Sequence, residues 1–227
     1  MELNLAKIST RHSSLVTCLV IKNIIFDFGG VICNIDAKLT QKAFMELGLK
    51  NFSPERAIAD SKGLFEEIET GAITPQHFRD ELRKYFLNPV TNDQIDAAWN
   101  ALLLDIPEPR IRLLESLRTR YRIFLLSNSN EIHFRKYDDD FTSQFGYNGL
   151  DGFFEQAWFS FRIGRKKPDQ EIFRHALKQA GLNSPETLFI DDTLVHVESA
   201  RTVGIHAYHL NISRGEQIMD LFYKKNT

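Results

Sequence analysis

A chain of 227 residues with 43% hydrophobic content can bury one large core, or one core with a smaller unit inserted into it. With 28 Lys and Arg against 30 Asp and Glu, and no basic run longer than Arg165-Lys166-Lys167, it lacks the electrostatic footprint of a nucleic-acid binder. Two cysteines, Cys18 and Cys33, fit the reduced thiols of a cytoplasmic protein better than a disulfide framework.

Residues 1–19 read as an N-terminal extension with no assigned role. The apolar run LVTCLVI at 15–21 is too short for a membrane span or signal core and leads into the next strand, so neither membrane nor export is expected. Residues 21–26 form a short continuous apolar run closed by a polar residue, the pattern of a strand buried on both faces. Runs at 122–126, 188–190 and 205–210 repeat it, with a weaker one at 156–160. Between residues 37 and 105 the pattern changes to amphipathic helices at 37–47, 54–68, 75–86 and 93–104, separated by Gly48, Gly71 and Pro89. Further on, residues 168–182 carry Ile172, Phe173, Ala176, Leu177 and Ala180 at helical spacing, with Pro168 in the first turn and Gly181 closing it.

Alternating strands and helices predict an α/β fold: a Rossmann-like, three-layer α/β/α parallel sheet built from residues 20–36 and 106–227. Residues 37–105 would form an inserted helical cap above the strand ends, where ligands of such sheets bind.

The predicted strands deliver polar groups to one rim. The first ends in Asp27, the second in Ser127-Asn128 and the 188–190 strand in Asp191-Asp192, while Lys167 opens the 168–182 helix. Close carboxylates from Asp27 and Asp192 repel unless a cation bridges them, and an all-oxygen set suits Mg²⁺ with a substrate phosphate. Lys167 and the Ser127 hydroxyl would face the same anion. Backbone amides of Phe28, Gly29 and Gly30 and of Asn128 can hold further phosphoryl oxygens, since glycines let the turn approach closely.

FDFGGVI with Asp27, LLSN ending at Asn128, GRKKP containing Lys167 and LFIDD ending at Asp192 resemble, in order and spacing, the four motifs of the haloacid dehalogenase superfamily. Most members of that superfamily are Mg²⁺-dependent phosphatases. The resemblance covers roughly residues 20–215 and is strongest to the branch typified by glucose-1-phosphate phosphatases, near the phosphatase domain of epoxide hydrolases; the helical insertion sits where the superfamily carries its first type of cap. It implies Asp27 as nucleophile, Asp27, the Gly29 carbonyl and Asp192 as Mg²⁺ ligands with Asp191 behind them, and Ser127 and Lys167 on the phosphoryl oxygens. The implied substrate is a small phosphorylated metabolite, with sugar phosphates such as glucose 1-phosphate first, hydrolysed by a monomer or homodimer.

Three positions depart from the family pattern. Gly29 replaces the second Asp that most relatives use as general acid, so slow turnover is expected. His196 stands where relatives usually show Asn, and Lys166 replaces a frequent Arg. Two rival readings are a metal-independent carbon–halogen hydrolase, which also lacks the second Asp, and a non-catalytic phosphate-binding protein. For the substrate, Asp36 and Lys38 at the entry to the insertion are candidates, as is Glu69 of the Glu66-Glu67-Glu69 cluster, although a solvated helix face explains those glutamates as well. Trp158, Phe159 and Phe161 are expected in the core, and Asp138-Asp139-Asp140 in a surface loop.

Overall fold

The computed structural model describes residues 20–49 and 63–222; the N-terminal extension, Cys18 and the first part of the 54–68 pattern lie outside them. Asn23–Phe26 (β1) is buried along its whole length and forms the centre of the sheet. Arg122–Ser127 (β2) and Thr187–Asp191 (β4) flank it, with Gln156–Phe159 (β3) and His206–His209 (β5) at the edges. The order is β3-β2-β1-β4-β5 and every pairing is parallel.

Alternation along the strands separates two cores. Ile24, Phe26, Ile123, Leu125, Leu188 and Ile190 point to one face, where Glu108–Leu117 (α5) contributes Leu113 and Leu114 and Glu131–Phe145 (α6) contributes Tyr137 and Phe141. Ile25, Phe124, Leu126 and Phe189 point to the other, against Ile172 and Phe173 of Gln170–Gln179 (α9) and Val197 and Ala200 of Leu194–Thr202 (α10). The apolar stretches of the central strands, residues 24–26, 123–126 and 188–190, are thereby buried on both sides, as their consecutive hydrophobic residues require. Two short helices, Gly149–Phe153 (α7) and Ser160–Ile163 (α8), lie on either side of β3, and Met219–Phe222 (α11) closes the described chain.

Between residues 37 and 100 the described residues form four helices: Ala37–Glu46 (α1), Leu64–Glu69 (α2), Pro75–Arg83 (α3) and Asn92–Asn100 (α4). They enclose their own apolar cluster around Phe44, Ile68, Phe78, Ile95 and Trp99, which Ile132 of α6 joins from the sheet side. The two linkers run side by side: Asn34 N–H donates to Asp105 O, Leu104 N–H to Asn34 O and Asp36 N–H to Leu102 O, and Ile35 is bridged antiparallel to Leu103.

Helix ends differ from the sequence expectation where capping decides them. The predicted 168–182 helix begins at Gln170 because Asp169 accepts the Glu171 N–H as N-cap, leaving Pro168 outside the first turn; Gly181, at φ 61°, follows the C-terminus as expected. Asp138, Asp139 and Asp140 belong to α6 rather than a loop, with Asp138 accepting the Leu150 N–H. Trp158 and Phe159 are buried on opposite faces of the sheet, and the half-buried Phe161 packs against Phe159 and Phe134.

Candidate active site

The register of the sheet brings the site together. Phe26 lies opposite Leu125 and Ile190, so Asp27 emerges level with Asp191, and Ser127 and Asp192 emerge one step beyond. Between them stands Lys167, 1% exposed. Its ammonium donates to Asp27 Oδ1 at 2.6 Å, to Asp191 Oδ2 at 2.7 Å and to the Leu126 carbonyl at 2.9 Å. Three donors meet three acceptors, so this buried charge is fully partnered.

Asn128 holds the lysine by its backbone: Asn128 Oδ1 accepts the Lys167 N–H at 2.8 Å and Nδ2 donates to Lys167 O at 2.9 Å. The next residues anchor the loop: Ser129 exchanges hydrogen bonds with Ser160 and accepts one from Tyr137, while Asn130 caps α6 through the Ile132 and His133 amides. His196 places Nδ1 3.1 Å from both oxygens of Asp191, and the Thr193 N–H reaches Asp191 Oδ1 at 2.7 Å.

Charge is unbalanced here. Burial pushes Asp27 up to about 7 against the pull of Lys167, with Asp191 and Asp192 adding to the rise. Burial and the Asp191 charge likewise raise Asp192. Burial also works against the charge of Asp191, but Lys167 and His196 outweigh it and hold this carboxyl at about 2. For Lys167, burial opposes the ammonium, and Asp191 and Asp27 overcome it to hold its pKa above the ordinary lysine value.

The donor set fits a hard divalent cation. Carboxylate oxygens of Asp27, Asp191 and Asp192 lie within 4.8 Å of one another. Asp27 Oδ2, Asp192 Oδ2 and the Gly29 carbonyl accept no hydrogen bond from the described residues. Gly30 makes the approach possible: at φ 73° a Cβ there would collide with the Asp192 carboxylate. Opposite these oxygens are donors: the amides of Phe28, Gly29 and Asn128 make no hydrogen bond among the described residues, and the Ser127 hydroxyl makes only a 3.4 Å contact to Asn128 O. The Gly30 amide, expected to join them, is instead bound to Cys33 O at 2.8 Å.

Asp36, Lys38 and Glu69 form no hydrogen bond with this cluster. Asp36 caps α1 by accepting the Lys38 N–H at 2.9 Å, and the Lys38 side chain is exposed beside Gln41 and Lys42 on α1. Glu69 accepts from Lys166 at 2.8 Å, tying α2 to the loop that carries Lys167. Glu66 and Glu67 sit in the first turn of α2. Sequence reasoning missed the clip from Asn128 to the Lys167 backbone, since two residues 39 positions apart give no local signal. The support from His196 to Asp191 was signalled only by its five-residue spacing past an acidic pair.

A buried carboxylate joined through a buried lysine to an acid pair at the rim of a parallel sheet defines a class, and the family comparison agrees: the haloacid dehalogenase-like hydrolase model matches residues 21–204, and the chain belongs to that family. Among curated proteins, a D-ribitol-5-phosphate phosphatase of Bacteroides thetaiotaomicron is 29% identical over 83% of this chain and 91% of its own. A sesquiterpene phosphatase of Aspergillus oryzae is 28% identical over 86% of this chain and 93% of its own. Among solved structures, the HAD family enzyme BT-2542 of Bacteroides thetaiotaomicron, in complex with magnesium and inorganic phosphate, superposes with a TM-score of 0.79 at 34% identity, covering 89% of this chain and all of that one.

Proposed function

We propose that this phosphomonoester hydrolase acts on a small phosphorylated metabolite, a sugar or polyol phosphate first, by transferring the phosphoryl group to Asp27 and releasing it to water. One observation carries the reading: the ammonium of Lys167 bridges Asp27 and Asp191, while Asp27 Oδ2 and Asp192 Oδ2 on the same rim accept no hydrogen bond from the described residues. Mg²⁺ is the cofactor; Asp27, the Gly29 carbonyl and Asp192 would hold it, with Asp191 behind them, and it would offset phosphoryl charge there.

The chain's own groups account for the rest. Lys167 fixes one oxygen of Asp27, which orients the carboxylate for in-line attack, and its charge offsets that of the incoming phosphate. The amides of Phe28, Gly29 and Asn128 and the Ser127 hydroxyl are the donors available to the transferring oxygens. Asn128 keeps the lysine loop in register, and His196 holds Asp191 toward Lys167. Helices α1 to α4 form the cap that closes over this rim and limits water during transfer. The relatives that hydrolyse phosphorylated small molecules, and the one holding magnesium and phosphate, support the substrate class. A carbon–halogen hydrolase would leave the Asp191-Asp192 pair without use.

A screen of phosphorylated metabolites with Mg²⁺, run beside Asp27→Asn, tests the proposal. Phosphate release that needs Mg²⁺ and disappears in a folded Asp27→Asn protein is the expected result. Turnover undiminished in that variant would refute Asp27 as the acceptor.

A further inference from the structure

Strand β4 ends at Asp191, whose carbonyl still accepts the Leu210 N–H from beyond β5 at 2.9 Å. Two residues on, Thr193 O accepts the His196 and Val197 amides of α10. Asp192 lies between these anchors, outside both the strand and the helix. Its carbonyl accepts no backbone amide among the described residues. A side chain takes that place: Nε2 of His209, the last residue of β5, stands 2.9 Å from Asp192 O. A carbonyl can only accept, so Nε2 carries the proton and the imidazole donates in either charge state.

The two strands pair without this bond, their register running from Leu188 opposite His206 to Asp191 opposite His209. What it fixes is the peptide that bears the most loosely held carboxylate of the rim. Asp27 and Asp191 are each bound by Lys167, at 2.6 and 2.7 Å. Among the described residues, Asp192 Oδ1 accepts only from the Thr193 hydroxyl, at 3.3 Å, and Oδ2 lies where a Cβ on Gly30 would meet it at 2.4 Å.

We propose that His209 is a positioning residue for the cation site: by holding the Asp192 carbonyl it sets the direction in which the Asp192 carboxylate leaves the turn between β4 and α10, and so tunes affinity for the divalent ion without touching ion or substrate. The inference rests on the Mg²⁺ reading above and adds a residue to it. Mg²⁺ demands near-octahedral geometry at short ligand distances, so a small rotation of that peptide weakens binding. Groups that orient a metal ligand from behind are typically worth about 10–100-fold in affinity. His209 makes no hydrogen bond to Lys167, Ser127 or the Phe28 and Gly29 amides, so the groups facing the phosphoryl oxygens should be left as they are.

The test compares the parent with His209→Phe, which keeps a planar ring without a donor, His209→Ala, which removes both, and His209→Gln, whose amide N–H can reach the same carbonyl. Calorimetric titration with Mg²⁺ alone gives the dissociation constant, urea unfolding gives the stability of the ion-free proteins, and hydrolysis of an aryl phosphate is followed over a Mg²⁺ series. His209→Phe and His209→Ala are each expected to raise the Mg²⁺ Kd about tenfold and to displace the activity series to higher Mg²⁺ by the same factor, with kcat close to that of the parent at saturation. His209→Gln should recover most of the affinity.

A bond that only ties β5 to the sheet would lower the urea midpoint and leave the Kd unchanged, and that result overturns the proposal. So does a Gln variant that binds Mg²⁺ no better than the Ala variant. A parent that binds no Mg²⁺ in the titration removes the ion from the proposed function, and this inference with it.

Discussion

The strand-end rim and the seam between the helical insertion and the sheet are both largely buried, but they are built from opposite materials. At the rim, Asp27, Asp191, Asp192 and Lys167 crowd formal charges into a largely buried space where burial works against each of them. At the seam, Trp99 of α4 stacks on His133 of α6 at 4.7 Å and meets Phe65 and Phe78 at 5.2 and 5.3 Å, while His133 Nδ1 lies 2.8 Å from Asn100 Oδ1. Burial holds His133 neutral, down at about 3. Formal charge is concentrated at the strand ends, and neutral aromatic packing joins the 37–100 helices to α6.

Substitutions can break or sharpen this contrast. Asp27→Asn has the largest expected effect: activity falls below detection, while thermal unfolding without Mg²⁺ occurs at the same or a higher temperature, because one of three repelling carboxylates is gone. A lower Tm would mean that the rim is a stabilising element after all. Lys167→Met should reduce kcat by about 10²–10³ and destabilise the fold by about 3–5 kcal/mol, since Asp27 and Asp191 lose their shared counter-charge.

On the neutral side, Trp99→Ala should cost about 3–5 kcal/mol in urea unfolding through the cavity it leaves among Phe44, Phe65, Phe78 and His133. A loss below about 1 kcal/mol would show that the seam is held by something other than this ring. His133 adds a pH signature. Its folded pKa is depressed from 6.5 to about 3, so the unfolded chain binds the extra proton. The stability from keeping it neutral is complete above about pH 6.5 and is lost as pH falls toward 3, by up to about 1.4 kcal/mol per unit. His133→Gln should flatten that slope in urea midpoints measured across this range. The smallest effect belongs to Glu69→Gln: the pair with Lys166 has side chains 29% and 32% exposed, and its loss should change stability or kcat/KM by no more than about 1 kcal/mol, roughly fivefold. A larger drop in kcat alone would place this half-exposed contact among the determinants of Lys167 geometry.

Much of this was legible in one dimension. The three central strands read as largely apolar runs because they are buried on both faces, and Asp27, Ser127 and Asp191-Asp192 stand at their ends, so sheet topology alone carries them to one rim. The residues whose partners are remote were not legible. Asn128 reads as a turn residue until it is seen gripping the Lys167 backbone, and the role of Asp36 as the cap of α1 does not show in its place at the entry to the insertion. Local pattern by itself determined the periodicity of the helices, the order of the elements and the polar ends of the strands, because those follow from backbone geometry and from hydrophobic burial within short windows. Only the tertiary structure decided which amides and oxygens remain unpaired, that Glu69 meets Lys166, and that His209 holds the Asp192 carbonyl. Those outcomes depend on angstrom-scale packing between segments that sequence spacing does not encode.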